Sequence, residues 1–134
     1  MSWDSNIYYN TPEPWVKIAE CEWGASYEFD TLCVWQNSET GEIRAAHDSG
    51  CCSCPTPFEY YESMDAATKI ESVADLLNYL LSRDYAGPMG DYDGNTKGYP
   101  DRPAAVARDE QWAEMVARVH RALREDTTIH GVTA

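Results

Sequence analysis

Apolar and polar residues alternate with a period of two over much of residues 15–47, and with a period near 3.6 in the segments beginning near residues 72 and 103. Residues 15–23 predict a first strand and Gly24 and Ala25 a short turn. Residues 26–36, rich in strong β-formers, predict a second strand. Its alternation sets Tyr27, Phe29, Thr31, Cys33 and Trp35 on one face and Glu28 and Asp30 on the other. Leu32 and Val34 fall on the acidic face, so the end of that strand is expected to be covered on both sides. A turn cluster at 37–41, with Gly41 free to take positive φ, leads to a third strand over 42–47. Regular hairpins would set Cys33 beside Ala46, Leu32 beside His47 and Cys21 beside Glu28. That leaves Cys21 and Cys33 apart, each as a small buried apolar residue.

The second half reads as helix. Residues 63–67 suit a single helical turn. Ser72 and Asp75 make a variant capping box, and Val73, Leu76, Leu77, Leu80 and Leu81 follow the helical i, i+3, i+4, i+7, i+8 pattern, predicting a helix over 73–83. Residues 84–102 hold four glycines and two prolines and predict a long loop, on which Tyr85, Tyr92 and Tyr99 recur as contact residues. Pro103 opens a last helix over 103–125, with Trp112, Met115, Val116, Val119 and Leu123 as its apolar stripe. Arg118, Arg121 and Arg124 read as a solvated face near its C-terminus. Residues 126–134 read as a fraying tail, and residues 1–14, with Trp3, Ile7, Tyr8 and Tyr9 before Pro12 and Pro14, as an aromatic arm lying on the domain. The expected fold is a single α+β domain: a three-stranded antiparallel meander (15–48), a Cys/Pro corner (49–62), then two main helices packed on one sheet face.

Charge narrows the partner class. The 134 residues carry a net charge of −13. Up to Asp65 there are twelve acids against only Lys17 and Arg44; the remainder holds eleven acids and eight bases. Direct binding to a nucleic-acid backbone, which needs cations to displace counterions, is not expected. An acidic face, here Glu20, Glu22, Glu28 and Asp30, suits a basic protein surface or mimicry of the phosphate array of DNA; solubility is the bland alternative. No apolar run is long enough to span a bilayer, and the N-terminus lacks the basic and apolar regions of a signal peptide, so a cytoplasmic setting is expected. In that setting the five cysteines are expected as thiols or metal ligands.

The richest chemistry lies at residues 47–62. His47, Cys51, Cys52 and Cys54 are ligand types that zinc prefers, and zinc is the one cofactor the sequence allows for. Cys51 and Cys54 also have redox-pair spacing, but Pro55 and Pro57 prevent a helix from starting where such a pair needs one. The plain alternative is a rigid corner turned at Gly50 and fixed by the prolines. Residues 91–95 begin like a calcium loop, yet Thr96 stands where glycine is required and Arg102 where the bidentate glutamate belongs. No nucleophile elbow, phosphate loop or zinc-protease motif is present, and His47, His120 and His130 are scattered. The sequence leans away from an enzyme.

Asp48, Ser49, Gly50 and Cys51, followed by Ser53, Cys54, Pro55, Thr56, Pro57, Phe58 and Glu59, resemble a block in a family of small uncharacterised proteins encoded by tailed phages of actinobacteria. The resemblance extends to Tyr8–Asn10, Val16–Glu20, Tyr27–Asp30, Val34, Trp35, Thr40, Gly41 and Ser72–Leu76. It covers roughly the first 85 residues, and Cys52 adds a thiol to the family pattern. It implies a setting, the cytoplasm of an infected bacterial host, and no activity. Together these readings favour an acidic binding protein that engages a host protein, as an inhibitor or DNA mimic. The alternative is a small zinc- or thiol-dependent protein using the 51–54 corner. An enzyme or small-ligand sponge comes third, to be raised by a deep pocket lined by tryptophans.

Overall fold

The structure, a computed structural model, describes residues 5–24, 27–51, 57–83, 86 and 102–129, without the side chains of Cys51 and 125–129. It is α+β. β1 (Trp15–Glu22), β2 (Glu28–Asn37), β3 (Ile43–Cys51) and β4 (Thr68–Ile70) form an antiparallel sheet in the order β1-β2-β3-β4. α1 (Val73–Leu81), α2 (Arg102–Ala107) and α3 (Glu110–Ile129) follow. The predicted meander is thus joined by a fourth strand. Three residues are too few for a periodicity signal. β4 forms because Ile43, Arg44 and Ala45 pair with Ile70, Lys69 and Thr68.

The β2–β3 register is the predicted one, Cys33 opposite Ala46 and Leu32 opposite His47, but β3 continues to Cys51 instead of stopping at His47. Cys21 lies opposite Leu32 and not Glu28. The β1–β2 connection is wider than a two-residue turn, and the Glu22 carboxylate organises it. That carboxylate accepts from the Gly24 and Asp30 amides (2.9 and 2.8 Å) and from the Thr31 hydroxyl. Gly24 has to be glycine, because an added Cβ would collide with the Glu28 carbonyl.

Both sheet faces are buried. Leu32, Val34, Ile43, Ala45 and Ile70 meet Leu76, Leu80, Val106, Trp112, Met115 and Val119 on the helix face. On the opposite face Cys33, Trp35 and Ala46 pack against Ile7, Phe58, Met64 and Ala67. This second layer is the arm, residues 5–14, together with 57–67, which includes a 3-10 turn at Met64–Ala66. The Ile7 amide donates to the Tyr61 carbonyl at 3.0 Å and Asn6 Nδ2 to the Pro57 carbonyl at 3.1 Å, joining the two segments. Phe58 is held at φ 61°, a region that bulky residues avoid, by complete burial between Tyr8 (centroids 4.8 Å) and Trp35 (6.3 Å).

The predicted cap of α1 is present: Ser72 Oγ accepts from the Asp75 amide at 3.1 Å. Ser72→Ala is expected to cost about 1 kcal/mol of stability, read from urea unfolding. The predicted last helix is two helices. Asp109 restarts it, with Oδ1 accepting from the Trp112 amide at 2.8 Å and from the Trp23 indole at 3.1 Å. α3 then runs to Ile129, past the predicted end, since no glycine or proline interrupts it before Gly131.

Candidate functional site

His47 lies opposite Leu32 on β3, so its ring turns to the helix face, where it is fully buried. Asp30, two residues before Leu32, is on the same face, and its Oδ1 is 2.5 Å from His47 Nε2. Arg83, just past α1, approaches from the other side: its Nε–H donates to Nδ1 at 3.4 Å. A guanidinium can only donate, so Nδ1 is the acceptor and Nε2–H points at Asp30. Burial raises the Asp30 pKa above the ordinary carboxylate value; His47 is the strongest opposing influence.

The backbone of His47 is equally engaged. β4 stops pairing with β3 at Ala45, and beyond it the edge is closed by side chains. The His47 amide donates to Tyr79 Oη at 2.9 Å. Its carbonyl accepts from Tyr61 Oη at 3.1 Å and from the Arg83 guanidinium at 3.3 Å. Burial pushes the Tyr79 hydroxyl up to about 12, so it remains protonated. The cluster ties β2, β3 and α1 together with protons at fixed positions and presents no nucleophile. Both ring nitrogens of His47 meet protein groups, Nε2 the Asp30 carboxylate and Nδ1 the Arg83 guanidinium. The side chain of Cys51, and Cys52 and Cys54, lie outside the described residues. No group of three or more metal-ligating side chains occurs among the described residues. Cys21 and Cys33 are buried; burial pushes the Cys21 thiol up to about 12 and raises Cys33 as well, so neither supplies a thiolate at neutral pH.

The four acids expected on one face are divided between two. Glu20 and Glu22, opposite Cys33 and Thr31, belong to the arm face, whereas Asp30 belongs to the helix face and Glu28 shares its side by alternation. Cys21 pairs on the side of Glu28 and Leu32 in the expected and the observed register alike, a shift of four residues, so Glu20 and Glu22 alternate away from Glu28 and Asp30 in both. Glu20 bonds to Tyr8 Oη at 2.7 Å and Lys17 at 3.0 Å, and Glu22 is occupied by the connection. Tyr85, Tyr92 and Tyr99 lie outside the described residues.

A different acidic surface results from the arm. Segments 5–14 and 57–67 contain Glu13, Glu59, Glu62 and Asp65 and no base. All four are exposed, as are Tyr9 and Tyr60, and Glu20, exposed on the same sheet face, accepts from Tyr8 Oη. The cations of this face are Lys17, with Glu20 and over the Tyr8 ring, Arg44, with Glu42 and the carbonyls of Met64 and Ala67, and exposed Lys69, opposite Arg44 on β4 and 3.8 Å from Glu71. The arm was legible in the sequence, but not that 57–67 would join it in one layer. Tyr61, Tyr79 and Arg83 carried no spacing signal at all, because their meeting point is a carbonyl and an amide of β3. Open grooves among the described residues include one of about 370 Å³ between β1 and α3 and one of about 470 Å³ along Glu13, Trp15, Val16 and Glu39; Trp35 and Trp112 are buried in the core and line neither.

These features define an α+β protein with a two-sided core, a closed polar cluster and an acidic arm face. The chain belongs to a family described as a domain of unknown function, DUF7574, whose model matches residues 5–98, more than two thirds of its length. α2 and α3 lie beyond the matched residues. No curated protein and no solved structure matches the chain. No described helix is long and apolar enough to cross a membrane.

Proposed function

We propose that this is an acidic binding module, made by a tailed phage inside an infected actinobacterial cell, that engages a basic surface of a host protein. The observation that carries the reading is the arm face, where Glu13, Glu59, Glu62 and Asp65 are exposed beside Tyr9 and Tyr60 on segments without a single base. Exposed carboxylates steer a cationic partner, and exposed tyrosines supply rigid contact area at low entropic cost. The same charge repels a nucleic-acid backbone; imitation of DNA toward a DNA-binding host protein is one form of the activity. The buried Asp30–His47 cluster serves as the scaffold.

Reversing Glu59, Glu62 and Asp65 to lysine is expected to weaken capture of the host partner by about tenfold to a hundredfold, with the circular dichroism spectrum unchanged. Wild-type binding is expected to weaken between about 50 and 300 mM salt. Duplex DNA would compete if the partner is a DNA-binding protein. Binding retained by the triple variant, or insensitive to salt, would rule the arm face out.

A further inference from the structure

In the groove between β1 and α3 the polar groups are occupied. Lys17 pairs with Glu20 and Arg118 with Glu114, and Gln111 bonds the amide and carbonyl of Glu22 at 2.8 and 2.9 Å. The groove of about 470 Å³ where β1 begins is different. It is lined by Glu13, Pro14, Trp15, Val16, Ser38 and Glu39, with no base among them. Neither the Glu13 nor the Glu39 carboxylate makes a hydrogen bond or ion pair among the described residues. Val16 is 52 % exposed, the one large aliphatic side chain among the described residues left so open. Main-chain bonds hold the walls. The Ser38 amide donates to the Pro14 carbonyl at 2.9 Å and the Trp15 amide to the Pro12 carbonyl at 2.9 Å. Asn37 Oδ1 accepts from the Glu39 and Thr40 amides at 2.8 and 3.0 Å. Trp15, opposite Asn37, packs against the arm-face core, whereas Val16, opposite Gln36, lies on the other side of the sheet. The groove thus wraps the outer edge of β1 and continues the arm face at Glu13.

We infer that this groove takes one arginine side chain of the basic partner, an assignment that rests on the arm-face reading above. Charge complementarity selects the occupant. Two carboxylates without a partner flank an indole ring and an aliphatic wall, so an acidic guest is repelled and a neutral one leaves both charges unanswered. A planar guanidinium stacks on an indole, donates to two carboxylates at once and is less strongly hydrated than an ammonium. Its alkyl stem covers apolar surface such as Val16. Walls already fixed by main-chain bonds keep the ordering cost low.

N-acetyl-arginine amide tests the groove without the partner. Its titration, followed by NMR at the Trp15 indole N–H and the Val16 methyls, is expected to saturate with a Kd of about 10 mM. N-acetyl-lysine amide should bind about threefold more weakly, and N-acetyl-citrulline amide, which keeps the shape without the charge, should not saturate. Glu13→Gln with Glu39→Gln, both at exposed positions, should weaken the arginine probe about tenfold and leave the urea midpoint unchanged. The variant reversed at Glu59, Glu62 and Asp65 should bind the probe within about twofold of the wild type at physiological salt, since none of the three lines the groove. Absence of saturation at Trp15 and Val16, binding of citrulline or lysine as tight as that of arginine, or an unchanged affinity in the double variant would overturn the arginine groove. The arm-face reading stands or falls separately, on partner capture by the charge-reversed variant.

Discussion

Trp35→Ala is expected to lower the unfolding free energy by about 4 kcal/mol and to release the arm. Trp35 is completely buried on the arm face of β2. Its ring meets Phe58 edge-on at 6.3 Å, and its indole N–H donates to Thr11 Oγ1 at 3.2 Å. One side chain of the sheet therefore anchors both segments of the covering layer. Truncation leaves a cavity beneath Phe58 and removes the main reason for Phe58 to hold its left-handed backbone. Urea unfolding gives the global loss, and exchange of the Ile7 amide, which donates to Tyr61, reports the arm. Trp35→Phe keeps most of the volume and should cost about 1–2 kcal/mol, mainly the Thr11 bond. A loss below about 1 kcal/mol for the alanine variant would show that the arm layer does not depend on this anchor.

The second large effect is expected at His47. His47→Leu leaves the Asp30 carboxylate in an apolar setting without its closest partner, and should cost about 3 kcal/mol near pH 7. The pH dependence has a defined sign. The folded-state pKa of Asp30 is already raised by burial, so its protonation favours the folded state. The stability linked to that proton is fully present below the unfolded carboxylate pKa of about 4, and is lost as pH rises through the higher folded value. Removing His47, which pulls the pKa down, raises it further. The penalty of His47→Leu should therefore shrink as pH falls from 7 toward 4, and adding Asp30→Asn should recover most of it. Urea midpoints across that range decide the matter; a pH-independent penalty would place the cost in packing alone.

The two clusters also show where sequence reading reaches its limit. The β2–β3 register, the Ser72 cap and the α1 stripe are local or follow from period-two and 3.6 spacing, and they hold in the structure. The placement of Leu32 and Val34 on a covered face beside Glu28 and Asp30 was legible in the alternation as well. The grouping of Glu20, Glu22, Glu28 and Asp30 on one face does not hold, because directly opposite residues share a face: Cys21 pairs on the side of Glu28 and Leu32, and Glu20 and Glu22 alternate to the other side. Asp109 looked like one more polar residue within a helical pattern. It ends α2 and starts α3 because the Trp23 indole, 86 positions away, shares its carboxylate with the Trp112 amide.

The sequence by itself determined the α+β class, three of the four strands, the first helix, the charge imbalance and the aromatic arm. Each of these rests on local propensity, periodicity or composition, quantities that neighbouring residues set among themselves. Only the tertiary structure decided how the two sheet edges are closed and which carboxylates share a surface. β4, Gln111, and the trio Tyr61, Tyr79 and Arg83 exist as edge-closing elements because main-chain donors and acceptors left open by β1 and β3 must find partners, and the residues that satisfy them come from distant parts of the chain.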